Sequence, residues 1–362
     1  MKKPLLLAFV LAFALTLTAC GNTPTNGGDN NVSETTQPPA NDTPTTTDPP
    51  GGNEIPTTTE PPVSDIPDTS GPSISELKAT LLIHEYIIDV TPVTIPEPLL
   101  AGITELVEQN GFEYNLILYR IRYKSDEYEV MGYVAAPANF MEREYPVLIF
   151  NRGGNRNFGA LTHGDMLVFA MRGYIVLGSQ YRGVAGGTGM EQFGGDDIND
   201  VLRLIDISES FEFAQQGGVY MFGASRGGMM TYIASRMDDR IRAATVWAGL
   251  SNAFDGFHER EQAMQQVFID LVGGTPDEMP EEFERRSAVF WADEIRVPLL
   301  IGHGGDDDWR APTHHALQMA EALERYGKPH RLIIYPEKDH SFGLEFLDEM
   351  DDWFRAHPIM GW

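Results

Sequence analysis

Six short apolar runs mark the chain from Val147 onward: Val147-Leu148-Ile149-Phe150, Tyr174-Ile175-Val176-Leu177, Val219-Tyr220-Met221-Phe222, Ala243-Ala244-Thr245-Val246-Trp247, Val297-Pro298-Leu299-Leu300-Ile301 and Arg331-Leu332-Ile333-Ile334-Tyr335. Runs of this length without polar interruption suit strands buried on both faces, as in a parallel sheet. Between them lie segments of helical period, such as Asp197 to Ile205 and Ala316 to Leu323. Upstream, residues 114–136 alternate like two strands around a turn at Lys124-Ser125-Asp126. This order predicts an α/β fold: a mostly parallel sheet with helices on both faces and an antiparallel hairpin at its first edge. Residues 252–290, rich in Phe, Met and Glu, interrupt the strand order and read as a cap-like insertion.

The first seventy residues follow no such pattern. Met1-Lys2-Lys3 precedes an apolar run from Leu5 to Leu17, the layout of a secretory leader and too short for a comfortable membrane span. Directly behind it, Leu17-Thr18-Ala19-Cys20 resembles the lipobox of bacterial lipoproteins, with the chain's single cysteine at the position that is lipidated. Residues 21–72 then hold 12 Thr, 11 Pro and eight acidic residues, with no Lys, Arg or aromatic residue. Such a stretch buries no apolar surface and is expected to stay extended as a spacer. The expected organisation is a leader over 1–19, a linker over 20–72 and one folded domain over 73–362.

The net charge of −27 mostly belongs to that domain, and it disfavours a phosphate-binding role, so no nucleic-acid partner is expected. A single cysteine excludes an internal disulfide framework and a Cys-rich zinc site.

Chemistry concentrates behind three of the predicted strands. The run 219–222 leads into Gly223-Ala224-Ser225-Arg226-Gly227, a Gly-x-Ser-x-Gly turn followed by helical sequence. Glycines flank the serine because the turn crowds its neighbours, and a helix N-terminus there favours developing negative charge. A serine at that place also suits a helix N-cap. A nucleophile needs a base and an acid, and both occur downstream in the order Ser, acid, His. Gly302-His303-Gly304-Gly305-Asp306-Asp307-Asp308 closes one strand, and Tyr335-Pro336-Glu337-Lys338-Asp339-His340-Ser341-Phe342 the next. Open α/β sheets place their sites at that strand edge.

These motifs resemble those of the prolyl oligopeptidase family: His303-Gly304-Gly305-Asp306-Asp307 around its acid, Tyr335 to Phe342 around its histidine, and Tyr181-Arg182-Gly183 with the Asp197/Asp200 pair before its nucleophile. The resemblance runs from about Ile121 to Phe354. It implies an α/β-hydrolase fold and a serine hydrolase with Ser225, Asp307 and His340 as catalytic residues. Asp306 and Asp308 remain alternatives for the acid. The oxyanion donors it implies are the amide of Arg226 and one from Gly153-Gly154. Many relatives carry His-Gly-Gly-Pro where this chain has Asn151-Arg152-Gly153-Gly154-Asn155, and a valine where it has Arg310. About forty residues between linker and first strands leave no room for the propeller of the peptidase members, so small peptides or esters are the expected substrates. No cofactor or metal is expected, and the oligomeric state stays open. A carboxylesterase is the alternative; a non-catalytic binding lipoprotein would be expected to show a broken triad.

The remaining polar residues take plainer readings. Asp196, Asp197 and Asp200 lack the spacing of a calcium loop and suit helix capping. His303 is expected to bond nearby backbone, and His314 and His315 to face solvent. Phe254, Phe257 and Met264 suit either a pocket lining or ordinary packing. The lipobox predicts an exported protein held to the outer face of the membrane through Cys20. Fractionating cells that express the full chain should find it in the membrane, and Cys20→Ser should release it or leave it unprocessed. A wild-type protein that is wholly soluble with an intact thiol contradicts the lipid anchor.

Overall fold

The computed structural model describes residues 72–112, 115–307 and 309–359. The expected leader, Cys20, the linker as far as Gly71 and Asp308 lie outside them; Pro72, the last residue of the expected linker, begins the first described helix.

The described elements run α1 (Pro72–Ile83), β1 (Ile87–Pro92), α2 (Glu97–Asn110), β2 (Leu116–Ser125), β3 (Tyr128–Pro137), β4 (Val147–Asn151), α3 (His163–Ala170), β5 (Ile175–Ser179), α4 (Ile198–Ser208), β6 (Val219–Ala224), α5 (Arg226–Met237) and β7 (Ile241–Trp247). The insertion follows as α6 (Ala253–His258), α7 (Gln262–Val272), α8 (Pro280–Arg285) and two single 3-10 turns. The chain then returns through β8 (Leu299–Gly304), α9 (His314–Arg325), β9 (His330–Tyr335) and α10 (Leu344–Ala356).

Nine strands form one sheet in the order β1-β2-β3-β5-β4-β6-β7-β8-β9. β1, β2 and β3 pair antiparallel, as does β3 with β5, and the six strands from β5 to β9 are parallel. All six apolar runs contain strands of the parallel part, and four of the six are buried at every residue. The first edge holds three antiparallel strands where the pattern gave two. β1 is missed because its six residues, Ile87-Ile88-Asp89-Val90-Thr91-Pro92, bury only Val90 fully, as an edge strand does. The hairpin turns one residue later than expected, with Asp126 at φ 50°.

Side-chain alternation on the parallel strands splits the core in two. Val147, Ile149, Val219, Met221, Leu299 and Ile301 face one way, toward α4, α5 and α9. Leu148, Phe150, Tyr220, Phe222 and Leu300 face the other, toward α2, α3 and α10. A strand that is apolar at every position can be satisfied only between two such layers. β4 pairs with β5 on one side and β6 on the other, so the strand order reverses between β4 and β6, the point at which open α/β sheets place their sites. The motif loops all emerge at this edge, after β4, β6, β8 and β9.

Phe254 and Phe257 do pack conventionally. Their rings lie 5.6 and 5.7 Å from that of Phe283, and Phe257 lies 6.0 Å from Phe268, which makes an aromatic core for the insertion. Met264 packs against the same core.

Candidate active site

Ser225 joins β6 to α5 at φ 58° and ψ −123°, a conformation that L residues rarely adopt. Its amide donates to the Trp247 carbonyl (2.9 Å), and its own carbonyl accepts from Gly228 (2.9 Å). The turn needs both flanking glycines. A Cβ on Gly223 would sit on the Gly227 carbonyl oxygen, and one on Gly227 would sit on the Asn151 carbonyl oxygen. The loop after β4 crosses close by: a Cβ built on Gly153 would lie 3.1 Å from Ser225 Cβ and 3.7 Å from Ser225 Oγ. Arg226 occupies the first helical position, where an amide has no acceptor within the helix. Ser225 makes no side-chain capping bond, so its hydroxyl is not acting as the N-cap that its position also suits.

The loops after β8 and β9 are laced to each other by backbone. Gly305 donates to the Tyr335 carbonyl (2.8 Å) and Asp306 to the Lys338 carbonyl (2.9 Å). That lacing sets Asp307 against His340, with His340 Nδ1 2.6 Å from Asp307 Oδ2. Both are buried, whereas Asp306 is exposed and engages the His340 loop only through its amide. His303 is buried and its Nε2 meets the Ala311 carbonyl at 2.7 Å, the backbone role expected of it. Its ring also stands 3.6 Å from Asp307. Burial alone would raise the Asp307 carboxyl, but the rings of His303 and His340 outweigh it and hold it well below the usual carboxylate range.

One residue links the two halves of the site. Trp247, at the end of β7, accepts from the Ser225 amide through its carbonyl and donates from Nε1 to the His340 carbonyl at 2.9 Å. Phe342, two residues past His340, packs its ring 5.3 Å from that of Phe222 on β6. The His340 loop is therefore tied to both β6 and β7.

Beneath the turn lies a buried charge cluster that the sequence did not reveal. Arg226 reaches Glu191 and Asp197 at 2.5 Å each and the Gly154 carbonyl at 3.3 Å. Arg152 donates to the carbonyls of Gln180, Gly153, Arg156 and Phe158, which shapes the loop after β4 around its guanidinium. Both guanidiniums lie over the Tyr181 ring, at 4.8 and 4.5 Å, and the Tyr181 hydroxyl donates to the Arg152 carbonyl. Burial, with the Arg226 charge beside it, pulls the Arg152 guanidinium down to about 10. Two cations against two carboxylates keep this region near neutrality.

Two readings are corrected here. Asp197 makes no capping bond; it pairs with Arg226 and accepts the amides of Gln192 and Gly194. Asp200 pairs with Arg182 (2.7 Å), and Asp196 with Arg285 (3.0 Å). Acidic residues ahead of α4 and in its first turn thus serve arginines from other elements, which local spacing cannot disclose. His315, expected at the surface, is fully buried, because the first turn of α9 packs under the insertion; His314 is half-buried.

Residues 161–357 match the model of the prolyl oligopeptidase family. The chain belongs to that family. The uncharacterized peptidase YtmA of Bacillus subtilis is 30% identical over 241 residues, which span 66% of this chain and 92% of that relative. Among solved structures, the acylaminoacyl peptidase of Pyrococcus horikoshii superposes with a TM-score of 0.61 at 21% identity, over 72% of this chain and 44% of that one. An acetyl xylan esterase from Paenibacillus sp. R4 superposes at 0.57 and 16% identity, over 78% of this chain and 93% of that one. These two likenesses establish the α/β-hydrolase fold, and family membership makes the chain a serine hydrolase. This member spans nearly all of YtmA but less than half of the Pyrococcus enzyme, and among its described residues every strand belongs to the single sheet.

Arg226→Met leaves buried Asp197 without its guanidinium partner and buried Glu191 without the nearer of its two, and is expected to lower the unfolding free energy by about 3–5 kcal/mol. Urea unfolding measures it; a loss below about 1 kcal/mol would show that the cluster is not needed for stability. Asp307 predicts a pH signature. Its folded pKa lies below the ordinary 3.8, so the unfolded chain takes up the proton first. The stability it contributes is complete above about 4 and declines as pH falls further toward the lowered value. Asp307→Asn should therefore flatten stability against pH below about 4, and parallel curves for the two proteins would refute the shift.

Proposed function

We propose that this chain is an exported, lipid-anchored serine hydrolase that cleaves aminoacyl or small peptide bonds through an acyl-enzyme. The observation that carries this reading is the buried 2.6 Å contact between His340 and Asp307, on loops tied through Trp247 to the strained Ser225 turn. Ser225 Oγ attacks the substrate carbonyl while His340 Nε2 takes its proton. Asp307 accepts the hydrogen bond from Nδ1–H and supports the imidazolium. His340 then returns the proton to the leaving amine, and water repeats the sequence to release the acyl group. The Arg226 amide supplies one oxyanion donor, and Gly153-Gly154, packed against Ser225, supplies the second.

A specific observation favours an esterase as the second reading. The Paenibacillus acetyl xylan esterase is covered over 93% of its length, whereas the acylaminoacyl peptidase extends far beyond the matched part. The shared triad serves either bond. Peptidase relatives and the family model favour the peptide reading.

Turnover of aminoacyl-p-nitroanilides measured beside that of short acyl p-nitrophenyl esters separates the two. The peptidase reading expects sustained amide hydrolysis, and ester turnover with no amide turnover would assign an esterase. Ser225→Ala and His340→Ala should each lower kcat by at least about 10³-fold, and the double variant hardly further, since the pair acts as a unit. Full hydrolysis by Ser225→Ala would overturn the triad.

A further inference from the structure

At the rim of the insertion, Glu259, which caps the end of α6, meets the first turn of α9. His314 Nε2 lies 3.1 Å from Glu259 Oε1, and His315 Nε2 lies 3.7 Å from Glu259 Oε2. The two imidazoles stack with their centroids 4.7 Å apart, so both present Nε2 to the one carboxylate. The three ligand atoms all fall within 4.8 Å of one another.

The second observation is His315 itself. It is fully buried, yet neither ring nitrogen makes a hydrogen bond. A buried polar group left without a partner costs about 1–3 kcal/mol, and 3.7 Å is too far for Glu259 to satisfy it. The reactions derived above do not use His315.

We propose that Glu259, His314 and His315 form a binding site for a divalent transition-metal ion, with zinc as the best fit. Two imidazoles and one carboxylate are a ligand set that zinc takes with water in the fourth position. An ion 2.0–2.2 Å from each ligand would take up the unused His315 nitrogen and bridge the split in the Glu259 contacts. Asp255 Oδ2, 3.9 Å from His314 Nε2, is already engaged by Asn252 and Gln318 and stands as an outer carboxylate. The ion would clamp the insertion to the acid loop, since α9 begins just past Ala311 and Thr313, which bind His303 and the Gly304 carbonyl. No ligand-spaced motif betrays the site, because Glu259 and the histidine pair come from distant elements.

The test uses the full chain stripped with chelator and titrated with Co²⁺. One equivalent should give the intense visible absorption of a four-coordinate cobalt site, and Zn²⁺ should bleach it. Excess Zn²⁺, at about 100 times its dissociation constant, should raise the melting temperature by about 5 °C, whereas Mg²⁺ and Ca²⁺ should not. Glu259→Gln alters an exposed carboxylate and should leave the fold intact while weakening cobalt binding by about 100-fold or more; His315→Ala should do the same. A pale spectrum of hydrated cobalt, or a wild-type spectrum that persists in Glu259→Gln, would overturn the site.

Discussion

The backbone of Ser225, at φ 58° and ψ −123°, is the constraint around which the rest of this fold is arranged. Such a conformation costs about 1–3 kcal/mol and survives only where its surroundings fix it. Here they do so from three directions. The parallel strands β6 and β7 hold the turn through the Trp247 carbonyl. Glycines at 223 and 227 let the turn and the β4 loop interpenetrate. Arg226, the next residue, is anchored below by Glu191 and Asp197. The turn leaves the Ser225 hydroxyl free of a capping bond and sets beside it the first amide of α5, which has no acceptor within the helix.

The cluster under the turn also explains a local departure in sequence. In place of the His-Gly-Gly-Pro of many relatives, the loop after β4 reads Asn151-Arg152-Gly153-Gly154-Asn155. Arg152 turns inward and gathers four carbonyls of its own loop and of Gln180, so the loop's shape is set by a buried cation. Asn151 Nδ2 donates to Thr231 Oγ1 on α5, tying the same loop to the elbow helix. The glycines then lie against Ser225 by backbone alone.

What could be read from the sequence had local periodicity or a strand-end motif behind it. The parallel strands announce themselves because both faces are apolar, and the Ser225, Asp307 and His340 loops because each directly follows such a strand. The preference for Asp307 over Asp306 comes from the family resemblance; in the fold Asp307 is buried against His340 and Asp306 is exposed. What could not be read depends on contacts between distant segments. Asp197 looked like a cap because capping is the local use of an aspartate before a helix, yet its partner lies on α5. Trp247 looked like core, and its double hydrogen bond to the serine and histidine loops has no sequence signal. His315 seemed exposed because its helix follows a proline turn, but the insertion covers it. β1 fully buries only Val90, the weak pattern of an edge strand, whereas α2 carries Leu99, Ile103, Leu106 and Val107 at helical spacing, a signal that a reading centred on strands passes over.

The central claim is that the strained turn makes Ser225 a uniquely reactive nucleophile. Intact-mass measurement of the folded full chain treated with a fluorophosphonate, followed by peptide mapping, tests it most directly. The account predicts one phosphonyl group per chain, on Ser225, and none when the protein is first unfolded. A label on another residue, or a folded protein that stays unmodified, would contradict it.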